Sequence, residues 1–338
     1  MLTNNINQLG GIERVISLLC QGFKEDDSID LTILSLYSKP GTPGFFKLPN
    51  KVKCVHAGFS VNARPIRFLI DFLKKNNTDV LITFHPDIAL MVAGIKPFFR
   101  SINWIATEHS QPSQYTWKRS LLNLLAFRKA DRFVVLTEDA KDFYLKRHIQ
   151  NTMVIPNPVS FTCDRLSNYS TNILAVGRIE TIKRFDLLIK AFGSIEKKYP
   201  DWKLRIAGSG TQFDELMKEA KQYDNVELLG SRRDVKDLML KSSFLVISSQ
   251  SESFCLSAIE ALECGLPIVS TELTSIRSIT TGYNVAVFAY QNDWKDLADK
   301  IEGLINNPSL VRKMGVEAKE CAKQYHIENI MRYWMKII

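Results

Sequence analysis

The chain runs to 338 residues, 45% of them hydrophobic and 24% charged, with a formal net charge of +8. That is ordinary for a soluble globular protein, and the length leaves room for two α/β domains, each burying its own core. Six irregularly spaced cysteines (Cys20, Cys54, Cys163, Cys255, Cys264 and Cys321) with no C-x-x-C pair argue against a disulfide frame or zinc site, and read as buried thiols in a reducing compartment.

The five histidines form no H-x-x-x-H or H-E-x-x-H pattern, so no metal site is expected. Met1 to Gln8 include neither a basic nor an apolar leader region, so no signal peptide is expected, and the apolar runs are too short to span a membrane. The charge is uneven: residues 1–155 carry a net +7 and the remainder +1. A basic first half points to an anionic partner, whether nucleic acid, a membrane surface or a phosphorylated substrate.

In chain order, a strand should precede Leu9-Gly10-Gly11-Ile12-Glu13-Arg14, yet only Met1-Leu2-Thr3 is available. Either that strand is very short or the chain start is clipped. The glycine pair opens an amphipathic helix at residues 12–24, where it would let backbone approach a phosphate; a plain turn is the simpler alternative. Short apolar strands at residues 31–36, 80–84, 103–106 and 132–136 then alternate with helical periodicity at 65–75, 87–95, 116–129 and 138–147. Such alternation predicts a parallel sheet wrapped by helices.

Thr107-Glu108-His109-Ser110 follows a strand, in the loop at its carboxyl end, where α/β sheets place ligands. A lone histidine is more often a hydrogen-bonded bystander than a catalyst; its place after the strand is what singles out His109. Residues 114–132 mix aromatics, leucines and clustered Lys and Arg, as do Arg64 to Phe68 with Lys74 and Lys75. Either stretch could lie on an anionic bilayer. Leucine at helical spacing is usually core, however, and core is the expectation for the leucine face of 114–132.

Ile155-Pro156-Asn157-Pro158-Val159 closes a strand and opens a polar linker that lasts to Asn172. Strands resume at 172–177, 203–208, 226–230, 244–247 and 267–270. After the first of them, Arg178 and Lys183 could converge on a diphosphate, Arg as a planar fork and Lys as a movable point charge, although isolated basic residues are usually solvated. Gly208-Ser209-Gly210 invites comparison with G-x-G-x-x-G. Phe213 holds the third glycine position, so a dehydrogenase fingerprint is weak and a glycine turn near a donor is the alternative.

The stretch from Ser248 to Pro267 is the most informative. After the apolar strand Phe244 to Ile247, a polar loop carrying Glu252 opens onto a short helix that carries Glu260 and stops at Gly265. Two glutamates eight residues apart arise often by chance, and a helical Glu is usually solvated. A helix start, though, offers unpaired N–H groups to phosphate, and carboxylates flanking it are suited to sugar hydroxyls. The stretch therefore reads as the donor site of a sugar transferase.

Taken in order, Gly177-Arg178 with Lys183, Ile206-Ala207-Gly208-Ser209-Gly210, Leu228-Leu229-Gly230, Glu252-Ser253-Phe254 with Glu260 in E-x7-E spacing, and Gly265-Leu266-Pro267-Ile268-Val269 resemble the retaining glycosyltransferases of family 4, which have the GT-B fold. Any one of these is weak; the ordered set is specific, and clearest from Ile173 to Ser270. Glu108-His109-Ser110 is similar to a version found in bacterial enzymes that assemble surface polysaccharides and lipid-linked glycans.

The resemblance implies an α/β fold of two Rossmann-like domains facing across a cleft. Residues 1–157 would form the acceptor side and 158–320 the nucleotide-sugar domain, with 321–338 a terminal helix crossing back to the first domain. It implies a hexosyltransferase moving sugar, usually from a UDP-sugar, to a glycan or lipid-linked acceptor, in the cytoplasm or on the inner face of the plasma membrane. Arg178 and Lys183 would neutralise the diphosphate with the amides of Leu256 and Ser257. Glu260 would take the ribose hydroxyls and Glu252 those of the transferred sugar, beside Phe254 and the Gly208 turn. Arg232 would border the base, Gly11 would approach the diphosphate, and His109 would line the cleft near the reacting sugar.

No metal or other cofactor is implied, in keeping with the lack of a D-x-D motif, and no nucleic acid. Retention in this family is usually explained by front-face attack, so neither glutamate is assigned as a nucleophile. Thr271 to Ser278 departs from the family's glycines and acidic residue, in a loop bearing on sugar choice. Two other readings stay open: a basic membrane- or nucleic-acid-binding module without catalysis, and a GT-B nucleotide-sugar epimerase.

Overall fold

A computed structural model describes residues 1–42, 44–60, 65–111 and 115–338. Arg64 and Gln114, from the two basic stretches, lie outside the described residues. The chain divides into two compact units, Met1–Ser160 with Ile327–Ile338, and Phe161–His326.

The first unit contains β1 (Leu2–Thr3), α1 (Gly11–Phe23), β2 (Thr32–Ser35), β3 (Lys53–His56), α2 (Ile66–Lys75) and β4 (Val80–Thr83). It continues with α3 (Pro86–Ile95), β5 (Asn103–Thr107), α4 (Trp117–Phe127), β6 (Arg132–Val135), α5 (Glu138–Leu145) and β7 (Thr152–Val154). The sheet is parallel throughout, in the order β3-β2-β1-β4-β5-β6-β7. The first strand, two residues long, is central: Leu2 pairs with Leu34 on one side and Thr83 on the other. Phe127 and Phe133 stack 4.2 Å apart in the core beside fully buried Trp104.

The second unit contains β8 (Asn172–Val176), α6 (Phe185–Gly193), β9 (Lys203–Ala207), α7 (Phe213–Ala220), β10 (Val226–Gly230), α8 (Val235–Leu240) and β11 (Phe244–Ile247). After these come α9 (Leu256–Glu263), β12 (Ile268–Thr271), α10 (Thr274–Ile279), β13 (Ala286–Ala289), α11 (Trp294–Ile305) and α12 (Pro308–Ala322). Its parallel sheet runs β10-β9-β8-β11-β12-β13. A separate core forms around Phe192, Trp202 and Phe244. The terminal helix α13 (Ile327–Trp334) returns to the first unit, where Trp334 meets Phe23 edge-on at 6.2 Å.

Both sheets change direction beside their first strand, between β1 and β4 and between β8 and β11. Right-handed crossovers then put successive helices on opposite faces and open a crevice at the carboxyl ends of those strands.

One expectation fails. The leucine face of 114–132 is mostly not core: Asn123, Ala126 and Phe127 point inward from α4 and Leu124 packs against the core, whereas Leu121, Leu122 and Leu125 are about half exposed and Trp117 more so. Helical spacing identifies a face, but the neighbouring elements decide which face is covered.

Candidate active site

In the second unit the two loops at the switch point carry the charged residues. The loop after β8 brings Lys183, and the loop after β11 brings Glu252. Their side chains meet, with Lys183 Nζ 2.5 Å from Glu252 Oε1. Burial acts to lower the Lys183 ammonium, but the Glu252 carboxylate outweighs it and holds the lysine above its ordinary range.

Several neutral groups fix this pair. Ser249 Oγ donates to Glu252 Oε1 at 2.7 Å, and Ser248 Oγ donates to the Lys183 carbonyl at 2.8 Å. The Gln250 N–H donates to the Ile182 carbonyl at 2.8 Å, joining the two loops through backbone. Behind them, Thr271 Oγ1 donates to the Ser249 carbonyl at 2.7 Å. The Thr271 departure therefore props the loop that holds Glu252. Glu272, beside it, pairs with Arg277.

Helix α9 begins directly after this loop. Its N-cap, Cys255, has a left-handed backbone (φ 61°) and makes no side-chain cap, and no acidic residue occupies the first turn. The amides of Leu256 and Ser257 thus open a helix with its positive end uncapped, a geometry suited to an anion. Burial, reinforced by the Glu252 charge, pushes the Cys255 thiol up to about 12, so it stays protonated at neutral pH.

The other assigned residues divide. The Arg178 side chain is exposed, makes no hydrogen bond or ion pair with the described residues, and is close enough to act electrostatically on Lys183. Arg232 is turned onto Asp234 in a two-point pair at 2.8 and 2.6 Å. Phe254 faces inward, edge-on to Tyr325 at 5.8 Å. Glu260 is buried on α9, on the same helix as the amides.

The Gly208 turn has a plain steric reason. A Cβ at Gly208 would lie 1.8 Å from the Gly177 carbonyl oxygen, and one at Gly210 2.2 Å from that of Ile179. These glycines let the loop after β9 pack backbone to backbone beneath the loop bearing Arg178. Gly208→Ala should therefore destabilise the second unit by about 2–3 kcal/mol. The urea midpoint of that unit's unfolding measures it, and an unchanged midpoint would refute the steric account.

Sequence reading missed Glu263. Fully buried at the end of α9, it accepts from Lys319 Nζ at 2.5 Å, His326 Nε2 at 2.8 Å and the Cys163 N–H at 2.7 Å. It is a structural node. No motif marks it; a second glutamate three residues beyond Glu260, on an otherwise apolar helix, was the available signal.

In the first unit, the loops after β1, β4 and β5 bring Gly11, His85 and His109 to the same sheet end. Gly11 is exposed at the start of α1. His109 stacks on Phe84 at 5.7 Å, and burial, with the neighbouring His85 charge, pushes it down to about 3. Burial likewise lowers His85 to about 4, and its Nε2 lies 3.2 Å from Thr3 Oγ1. Both imidazoles are neutral at pH 7. Glu108 is buried, which lifts its carboxyl to about 7 against hydrogen bonds from the Ser110 N–H (2.8 Å) and the Tyr115 hydroxyl (3.2 Å). His85 was overlooked in the sequence, though it follows β4 just as His109 follows β5.

A cavity of about 630 Å³ in the first unit, lined by residues including Leu31, Lys53, Asp79 and Val80, lies at the amino ends of the strands, opposite these loops. It plays no part in the site.

Two family profiles match the chain: "Glycosyltransferase Family 4" over residues 9–162 and "Glycosyl transferases group 1" over residues 167–321. An uncharacterized glycosyltransferase of Haemophilus influenzae is 27% identical, with 99% of this chain and 98% of that protein aligned. A Campylobacter jejuni α-1,4-N-acetyl-D-galactosaminyltransferase, named for its undecaprenol-diphosphate-linked glycan, is 25% identical over 97% of this chain and 95% of its own. Among solved structures, Anabaena HepE in complex with UDP superposes with a TM-score of 0.82 at 16% identity, covering 99% of this chain and 98% of that one. The two Rossmann-like units are those of the GT-B fold.

Proposed function

Because the chain belongs to the family 4, group 1 glycosyltransferases and is a hexosyltransferase-type enzyme, we propose that it transfers a sugar with retention from a UDP-sugar to a lipid-linked glycan acceptor in surface polysaccharide assembly. The observation that carries this reading is the Lys183–Glu252 pair at the start of α9, at the switch point of the second sheet.

The chemistry follows from where charge develops. As the glycosidic bond breaks, the leaving diphosphate gains negative charge, and groups fixed to receive it stabilise the transition state more than the ground state. Arg178, Lys183 and the amides of Leu256 and Ser257 supply that field, without a metal. Lys183 has three donors, so it can keep its bond to Glu252 while another N–H turns to a phosphate oxygen. Glu252 then accepts from a hydroxyl of the transferred sugar, and its position is coupled to the phosphate through Lys183. Glu260 takes the ribose and Arg232 borders the base.

UDP in the HepE complex and an undecaprenol-linked glycan in the Campylobacter relative's name support the choice of donor and acceptor. A thermal-shift screen against UDP-, GDP- and ADP-sugars tests the donor. Saturation at a hundred times Kd stabilises the folded state by about 2.7 kcal/mol, so a UDP-sugar should raise the midpoint and the others should not. A larger shift with GDP- or ADP-sugars would overturn the choice of nucleotide.

A further inference from the structure

We propose that the exposed face of α4 is a docking surface for an anionic lipid bilayer. Trp117 is 74% exposed, Leu121 52%, Leu122 48% and Leu125 48%. Trp117, Leu121 and Leu125 recur every fourth residue, so they form one stripe along the helix, opposite the buried Asn123, Ala126 and Phe127. An apolar stripe of this length on a folded surface marks a contact with something less polar than water.

The charge around the stripe says what that partner is. From His109 to Ala130 the sequence contains no Asp or Glu, but it does contain Lys118, Arg119, Arg128 and Lys129. Arg119 is spent on Asp87. The Arg128 guanidinium donates to the Arg147 carbonyl and the Lys129 ammonium to the Ala93 carbonyl, both neutral, while Lys118 lies 5.5 Å from the Trp117 ring centre. Three cations around the stripe thus face no carboxylate among the described residues. The Lys129 bond and the Lys96–Asp131 pair (2.5 Å) tie the end of α3 to the end of α4, and the exposed Phe98 and Arg100 follow Lys96 in that segment.

Trp and Leu on one face, flanked by Lys and Arg with long flexible stems, is the arrangement of a helix lying in a membrane interface. Rings and leucines enter the acyl boundary while the cations meet anionic headgroups. A protein partner covering the same stripe would need carboxylates to match the cations; an anionic bilayer supplies both layers at once. The inference deepens the lipid-linked acceptor reading, since such an acceptor is presented in a bilayer. Its test reads binding alone, so either idea can fail without the other.

The experiment is sedimentation of the full chain with phosphatidylcholine vesicles, with and without phosphatidylglycerol, at low and high salt. The wild type should bind the anionic vesicles at low salt and release at high salt. Leu121→Ser with Leu125→Ser should weaken partition by about 10-fold. Lys118→Gln with Arg128→Gln should weaken it by about 30-fold on anionic vesicles only. All four side chains are at the surface, so unchanged circular dichroism and unchanged donor-sugar hydrolysis are expected. Failure of the wild type to bind, or undiminished binding by both double variants, overturns the proposal. So does a dimer that the leucine variant dissociates in light scattering while vesicle binding persists, because the stripe would then be a self-interface.

Discussion

Glu252→Ala and Lys183→Ala should each lower kcat/KM for sugar transfer by about 10²–10³-fold, while circular dichroism reports a folded protein. The two losses should not add. Lys183 Nζ and Glu252 Oε1 are 2.5 Å apart, so each residue orients the other and either substitution disables the unit. The double variant should therefore be only slightly worse than the poorer single one. Near-normal turnover in either single variant would remove that residue from the mechanism. Strict additivity of the two would show independent roles and defeat the coupling of sugar and phosphate contacts through Lys183.

Glu263→Ala should cost the second unit about 3 kcal/mol or more of unfolding free energy, because it leaves the Lys319 ammonium beside a buried void with its carboxylate gone. The pH dependence has a definite sign. Burial raises the Glu263 carboxyl, but hydrogen bonds from Lys319, His326 and the Cys163 amide prevail and hold it below its ordinary value. A depressed carboxyl stabilises the fold above its unfolded pKa of about 4.3 and stops doing so as pH falls through the lower folded value. Urea unfolding from neutral pH down into the acid range should thus show a decline in the wild type that Glu263→Ala partly lacks. Parallel curves for the two proteins would refute this account.

Much of the architecture was legible because buried parallel strands are short apolar runs and their helices are amphipathic. Phe244 to Ile247 and Ile173 to Val176 could hardly read otherwise. The strands that escaped notice, β3 and β13, sit at sheet edges, where half-exposed residues such as Lys53 and His56 break the apolar run. The charged pair of the candidate site was also readable, because Lys183 and Glu252 stand in loops directly after strands.

Their supports were not. Ser248, Ser249 and Thr271 are ordinary residue types whose value lies in which backbone they reach, and only the fold brings β12 beside the loop after β11. Gly208 was read as a turn near a donor; its steric constraint, the Gly177 carbonyl, is visible only in the fold. The face of α4 was misread for the same reason: a helix pattern carries no information about what, if anything, lies over it.

The node at Glu263 has one more consequence. The polypeptide enters the second unit just before Cys163 and leaves it at His326, and one carboxylate grips both of those residues. Entry and exit are therefore neighbours, and the whole of 161–326 hangs from the rest of the chain as an inserted cassette with a closed neck. Such a segment can be exchanged for its counterpart from a relative without rerouting the backbone on either side. A lineage built this way can replace the whole unit by recombination at two points that are distant in sequence but neighbours in the fold, while the remainder of the protein keeps its own sequence.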